Sequence, residues 1–167
     1  MPPYHSNFND SVNSCAKFND IPSLHFNTSS EPNAFQIIDE AILYYKANSF
    51  FKHYEIKGDA DRLLLYISLY IHACMVELLG TNANREEARK RLETLAIRLT
   101  TVPGNSGFPL NNFYKANYPQ ELSVYLEQIR REVNKKLLEK IYQDSDAAPS
   151  KWWLCFAKRK FLGKDLK

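Results

Sequence analysis

Apolar side chains recur at helical spacing in four stretches of the chain. The first stretch follows Pro32 and comprises Phe35, Ile38, Ile42, Tyr45 and Phe50. Positions three and four residues apart share one face of an α-helix, so this stripe predicts a helix that packs by that face. Gly58 then interrupts the pattern, and we expect Asp59 to be the N-cap of a second helix.

The most apolar stretch, "LLLYISLYIHACMVELLG", occupies residues 63–80. The seventeen residues to Leu79 only just reach the lower limit for crossing a bilayer, and His72 and Glu77 lie among them. Apolar residues on almost every side are typical of the central helix of a bundle instead. We therefore expect a buried second helix that stops at Gly80, with His72 as a hydrogen-bonded core histidine.

A third helix is predicted from Asn84 onward, because Asn84 followed by Glu87 has the pattern of a capping box. Its apolar stripe is Ala88, Leu92, Leu95 and Leu99. Residues 100–119 contain three prolines and two glycines and cannot form a regular element. Phe108 and Tyr114 within them indicate a loop pinned onto the body of the protein.

The fourth helix is predicted to have Pro119 in its first turn and to run for about six turns. Its core stripe is Leu122, Tyr125, Leu126, Ile129, Val133, Leu137 and Ile141. Most of its basic residues are expected on the outer, solvent-facing side: Arg130, Arg131, Lys135, Lys136 and Lys140.

A short helix that carries both tryptophans is predicted to open at Pro149-Ser150 and to end near Gly163. Helical spacing puts Trp152 on one face with Cys155 and Phe156, and turns Trp153 about 100° away. We expect one tryptophan to pack on the bundle and the other to be half-buried or to contact a partner.

These elements predict an all-α fold, a single-domain helical bundle of about five helices with an extended N-terminal arm. The arm is expected at residues 1–33, where Asn, Ser and Pro are frequent. The helical domain is expected at 34–163, followed by a basic tail end at 164–167. Hydrophobic residues make up 44% and charged residues 25% of the chain, which is typical of a globular domain.

The formal net charge of +3 is unevenly distributed. Residues 151–167 carry a local net charge of +5, and the rest of the chain carries −2. The protein is therefore a nearly neutral body with a basic tail. Three widely spaced cysteines and the absence of a signal-peptide pattern at the first residues favour a reducing compartment.

The sequence gives no indication of catalysis, and we expect no catalytic residues, no cofactor and no metal. The "GNSG" at 104–107 matches neither a nucleophile elbow nor a phosphate-binding loop. The four histidines have no partner at metal-ligand spacing. Asp59 and Asp61 are explained as charges at the start of a helix.

The basic, tryptophan-containing C-terminus leaves a choice of functions. A membrane-binding site needs a longer amphipathic helix or a second anchor. A nucleic-acid-binding site needs a more extensive basic surface. Tryptophan, tyrosine and arginine are enriched at the energetic centres of protein interfaces, which favours protein docking. A stand-alone helical adaptor that binds RNA or membrane through this C-terminus is the alternative.

Several blocks of the chain resemble one family, subunit 3 of the actin-related protein 2/3 complex, a seven-subunit actin nucleator. The resemblance covers nearly the whole chain and departs from the family at 9–33, at 115–121 and after Phe161. The matching blocks are "MPPYHSNF" (1–8), "DEAILYYKANSFFKHYEIKGDADRLLLYISLYI" (39–71), "PGNSGFPLNNFY" (103–114), "YLEQIRREV" (125–133) and "PSKWWLCFAKRKF" (149–161).

The resemblance implies a non-catalytic structural subunit that holds partner surfaces in register while branched actin filaments are nucleated. It implies actin-related protein 3 as the chief partner, with actin-related protein 2 and the mother actin filament in the activated state, beside the other subunits. No nucleic acid and no membrane is implied. The implied location is the cytoplasm and its actin cytoskeleton, at the cell cortex and protrusions.

Eight residues are the candidate contributors to partner interfaces. They come from the N-terminal arm, the pinned loop and the basic tail: Tyr4, His5, Phe108, Tyr114, Trp152, Trp153, Lys158 and Arg159. There is a physical reason to include the tail: actin filament surfaces are acidic, and opposite charges attract within a Debye length. Its competing interpretation is solvated charge without a partner.

Overall fold

The structure, a computed structural model, describes residues 3–6, 32–114 and 121–166. Within these ranges the chain forms five α-helices and no strand, which confirms the predicted all-α bundle. The helices are α1 (Pro32–Asn48), α2 (Asp59–Leu78), α3 (Arg85–Arg98), α4 (Glu121–Ile141) and α5 (Lys151–Leu154). The predictions for Pro119 and for the Phe35 side chain lie outside the described residues, and the domain limits stay predictions.

Helix α2 is the centre of the bundle. It packs against α1, α3, α4 and the segment that begins with α5, and fifteen of its twenty residues are buried. His72 is buried, with Nδ1 3.4 Å from the Tyr45 hydroxyl and Nε2 3.3 Å from Asp165 Oδ1. This confirms the hydrogen-bonded core histidine. No helix within the described residues is long and apolar enough to cross a membrane.

Two predicted helix ends, at Gly80 and at Asn84, agree with the structure. Asn84 accepts a hydrogen bond from the Glu87 backbone N–H, and the Glu87 carboxylate accepts one from that of Asn84, so the predicted capping box is confirmed. Gly80 follows α2 with a φ of +76°, a left-handed conformation that glycine adopts without a Cβ clash.

The prediction that Asp59 caps α2 is wrong. Gly58 holds the N-cap position in an extended conformation, and Asp59 is the first helical residue. The Asp59 carboxylate pairs with Arg62 three residues later instead of reaching the helix backbone. The first-turn aspartates still lie where the positive end of the helix dipole favours them.

Arg130 corrects the prediction for the outer face of α4. It is 3% exposed, its Nε donates to the Ala96 carbonyl at 2.8 Å, and its Nη1 donates to the Tyr66 hydroxyl at 2.7 Å. At helical spacing, position 130 shares the buried face of Leu126 and Val133, so its location follows periodicity and not charge. The buried guanidinium is hydrogen-bonded, as the cost of burying a charge requires.

Candidate partner interface

The N-terminal arm is fastened to the bundle through Tyr4. Its ring stacks on Tyr44 with the ring centroids 4.9 Å apart. Its backbone N–H donates to Asn48 Oδ1 at 2.8 Å, and its carbonyl accepts from the Asn48 amide and the Tyr54 hydroxyl. Residues 3–6, the described part of the arm, are therefore held against the end of α1 by backbone as well as side-chain contacts of Tyr4.

A buried carboxylate, Asp61, completes the attachment of the arm. It accepts hydrogen bonds from His5 Nδ1 at 2.9 Å, the Ser6 backbone at 2.8 Å, the Tyr54 hydroxyl at 3.2 Å and the Lys57 backbone at 3.0 Å. Burial and the Asp61 carboxylate raise the pKa of the Tyr54 phenol well above its usual range. From the sequence, Asp61 was explained only as a charge in the first turn of a helix. Its hydrogen bonds to His5 and Ser6 were not predicted.

The loop that carries Phe108 and Tyr114 is pinned as predicted, up to the last described residue at 114. The two rings meet edge to face with centroids 5.2 Å apart, and Phe108 also stacks near Tyr66. The Tyr114 hydroxyl donates to the Arg62 carbonyl, and Arg62 Nε donates to the Phe113 carbonyl. Both rings are buried, so they support the fold of the loop and are not themselves exposed to a partner.

The C-terminal segment continues from α5 as a 3₁₀ helix over Cys155–Lys158, and Gly163 ends a separate turn, Phe161–Gly163. Gly163 therefore does not end the tryptophan helix. With three residues per turn, side chains three apart eclipse each other. Phe156 accordingly packs with Trp153 and not with Trp152, which corrects the predicted grouping; Trp152 and Cys155 are exposed.

Trp153 fixes the segment to α1. Its indole is nearly parallel to the Tyr45 ring at a centroid distance of 6.4 Å, and Phe156 lies 6.3 Å from the same ring. The Lys46 ammonium lies 4.1 Å from the Trp153 centroid, a cation–π contact. Partial burial lowers the pKa of Lys46. Lys46 was not predicted, and its place in the last turn of α1 gave no indication of this contact.

Four exposed residues near this cluster, which we together call the C-terminal surface, are Phe50, Trp152, Lys158 and Arg159. The Arg159 guanidinium lies 4.6 Å from the Phe50 centroid, and the Phe50 ring meets Phe156 edge-on. Trp152 is 79% exposed and Phe50 is 57% exposed. Phe50 had been predicted as a core residue of the first helix, but that helix ends at Asn48, which leaves the ring outside.

The cations of the C-terminal surface are available to a partner. In the described part of the chain, Lys158 and Arg159 form no ion pair, whereas Lys160 is paired with Asp165 at 2.6 Å. Exposed aromatic rings beside arginine are the composition of interface hot spots. Of the eight predicted interface residues, Trp152, Trp153, Lys158 and Arg159 lie in the C-terminal segment. The other four pack against the bundle: Tyr4 and His5 from the arm, and Phe108 and Tyr114 from the loop.

The described residues hold no group of three or more potential metal ligands. A groove between α3 and α4 is lined mainly by charged side chains, many of them already paired, such as Arg89 with Glu86 and Glu93. Its shape and chemistry suggest a solvated surface. The C-terminal surface is therefore the best candidate interface of the described chain.

Comparison with known proteins identifies a family. A family model described as "P21-Arc: ARP2/3 complex ARPC3 (21 kDa) subunit" matches residues 1–166. The "Probable actin-related protein 2/3 complex subunit 3" of Caenorhabditis elegans is 40% identical, covering 99% of this chain and 96% of that protein. The subunit 3 proteins of Saccharomyces cerevisiae and Schizosaccharomyces pombe are 39% and 38% identical, each covering 99% of this chain and 100% of the relative.

Proposed function

Because the chain belongs to the family of subunit 3 of the actin-related protein 2/3 complex, we propose that it acts by holding partner surfaces in register during the nucleation of branched actin filaments. As a family member it is a subunit of the complex and serves actin nucleation. The observation that carries this function is the match over residues 1–166. The alternative of a stand-alone RNA- or membrane-binding adaptor has no support in these comparisons.

The role is structural and not enzymatic. Side chains that could have served chemistry are engaged in packing: Asp61 holds the arm, His72 lies between Tyr45 and Asp165, and Arg130 holds α3. A rigid core of this kind suits a subunit that positions others. The relatives are named as subunits of the complex, which fits a protein without a reaction of its own.

The chief partner in this proposal is actin-related protein 3, and contacts with actin-related protein 2 and the mother filament form in the activated state. The C-terminal surface supports this assignment, because its free cations complement acidic actin-like surfaces and its exposed rings supply apolar contact. Tyr4, His5, Phe108 and Tyr114 contribute by positioning the arm and loop, since their rings are engaged within the chain.

The complex acts on the actin cytoskeleton, and we place this subunit more finely at the cell cortex and in protrusions, where branched filaments form. A tagged chain imaged beside filamentous actin tests the location. Enrichment in protrusions is expected. An even distribution, with no enrichment where filaments branch, would contradict the finer placement.

Charge reversal at Lys158 and Arg159 tests the C-terminal surface. The complex carrying Lys158→Glu and Arg159→Glu should assemble normally but form fewer branches, because both substitutions repel an acidic partner surface. Added salt should narrow the difference from the unmodified complex, since exposed charges are screened. Branching is counted by microscopy of labelled filaments.

The matched control reverses two exposed cations on α3, Lys90→Glu and Arg91→Glu, which changes the net charge equally at a distant helix. This control should branch normally. Equal loss in both complexes would assign the effect to net charge, and unchanged branching in the first would remove the C-terminal surface from the mechanism.

A further inference from the structure

Residues Phe161–Leu166, which we call the hook, fold back onto α2. Phe161 is completely buried and Leu166 is 6% exposed, so two apolar side chains anchor the hook at its two ends. Between them Asp165 contacts His72 on α2 and pairs with Lys160. The hook follows directly on the C-terminal surface, so its docking constrains where that surface lies.

The backbone of the hook is strained. Leu162 has a φ of +49° and Gly163 a φ of +71°, both in the left-handed region. Glycine takes this conformation readily, but a leucine side chain makes it unfavourable. Such a conformation persists only while surrounding contacts enforce it. The docked hook therefore depends on the burial of Phe161 and Leu166 and on the contact of Asp165 with His72.

His72 links the hook to the tryptophan cluster. Its Nε2 faces Asp165 in the hook, and its Nδ1 faces the hydroxyl of Tyr45. The Tyr45 ring is the one against which Trp153 and Phe156 pack. One imidazole thus touches both the hook and the tyrosine that supports the C-terminal surface.

We propose that His72 makes the display of the C-terminal surface depend on pH: the neutral imidazole keeps the hook docked, and its protonation releases the hook and loosens Trp153 from Tyr45. This inference rests on the proposed function of the C-terminal surface and adds its regulation. The two states differ in one proton on one buried ring.

The neutral imidazole satisfies both of its neighbours. Its N–H at Nε2 donates to the Asp165 carboxylate, and its bare Nδ1 accepts from the Tyr45 hydroxyl. Protonation adds an N–H at Nδ1, so the Tyr45 hydroxyl can no longer donate to this nitrogen and must rotate its buried hydrogen away from it. It also places a cation inside the bundle. Burying this charge is unfavourable, and Asp165 offsets only part of the cost.

The other charged groups around His72 also favour the neutral imidazole in the docked state. Lys160 in the C-terminal segment forms an ion pair with Asp165. Glu77 on α2 is paired with Arg98 on α3 at 2.9 Å beside the same groove. Neither acidic group is therefore an unopposed partner for an imidazolium. Burial is the main cause that lowers the pKa of His72, Asp165 acts against it, and Lys160 adds to the lowering.

The sign of the pH effect follows from this lowering. Release of the hook restores the ordinary imidazole pKa of about 6.5, so the released state binds a proton more readily than the docked state. The contribution of His72 to docking is complete above that pH and is lost as the pH falls below it. Asp165, whose pKa is lowered chiefly by the hydrogen bond from Lys160, stays ionised over this range.

Tryptophan fluorescence measures the proposal directly, because the chain's two tryptophans both lie in the C-terminal segment. The full chain is titrated from about pH 7.5 to about pH 5.5, around the ordinary imidazole pKa. The emission of Trp153 should change while far-UV circular dichroism keeps the helical signal. The change should persist in Trp152→Phe and disappear in Trp153→Phe.

His72→Gln should abolish the fluorescence transition, since glutamine can bridge Asp165 and Tyr45 without titrating. His53→Gln, at an exposed histidine, is the matched control and should keep it. If His72→Gln lacks the helical signal, Asp165→Asn is the second test of the proposal. Its hook should dock more weakly, so the midpoint of the fluorescence transition should move to higher pH. A transition unchanged in His72→Gln, an unmoved midpoint in Asp165→Asn, or no transition in the unmodified chain overturns the proposal.

These measurements need no partner, so the two proposals can fail separately. A failed titration would leave the branching defect of the Lys158 and Arg159 variant standing. Normal branching by that variant would leave the titration of His72 standing.

Discussion

The carboxylate of Asp61 accepts a hydrogen bond from the imidazole of His5 at 2.9 Å, across fifty-six positions of sequence. Through this contact, the start of the chain is tied to the first turn of its central helix. The same carboxylate accepts from Ser6, Tyr54 and Lys57, so one buried charge orders the arm and the segment before α2 together.

Asp61→Ala should lower the free energy of unfolding by about 3 kcal/mol or more, because it leaves several buried donors without an acceptor. Chemical denaturation of the full chain measures the loss. Asp59→Ala, two residues earlier in the same turn, is the control. Loss of its partly exposed pair with Arg62 should cost less than about 1 kcal/mol. Equal losses in the two variants would show that Asp61 is not a structural centre.

Arg130→Met should cost about 2–4 kcal/mol of unfolding free energy, since the Tyr66 hydroxyl and the Ala96 carbonyl both lose a charged hydrogen-bond donor. Arg131→Met removes a charge of the same sign from the adjacent, exposed position, where the pair with Glu127 contributes about 0.5 kcal/mol or less. Thermal unfolding compares the two variants. An Arg130 variant as stable as the Arg131 variant would contradict the buried role.

Lys46→Gln should weaken the attachment of Trp153 by about 1 kcal/mol, because the neutral amide loses the cation–π contact. Quenching of tryptophan emission by iodide should increase, and Lys46→Arg should restore the protected signal. Lys140→Gln removes a charge from the neighbouring exposed side of α4 and serves as the control. Unchanged quenching in Lys46→Gln would mean that stacking on Tyr45 alone holds the indole.

The helical framework could be predicted because periodicity and capping are local. Asn84 and Glu87 lie three residues apart, and the apolar stripe of α4 continues over its whole length. Arg130 shows the limit of this reasoning: its charge led to the prediction of an outer position, although it lies four residues after Leu126 and three before Val133. Periodicity was the better guide, since a partner for the guanidinium came from α3 and α2.

The candidate interface was harder to predict from the sequence, because it depends on contacts between distant segments. The charge of the tail and the pair of tryptophans pointed to the C-terminal segment, whose role as an interface stays a prediction. The change from α-helix to 3₁₀ helix after Leu154 decided which ring faces the bundle. The roles of Lys46, Phe50 and Asp61 each require a partner many residues away, and no local pattern marks them.

Membership of a complex is the central claim, and purification of the tagged full chain from its own cells under native conditions tests it most directly. The account predicts that the other subunits of the complex, including two actin-like proteins, are recovered with it at equal stoichiometry by quantitative mass spectrometry. Recovery of the chain alone, or as a salt-sensitive nucleic-acid complex without actin-like proteins, would contradict it.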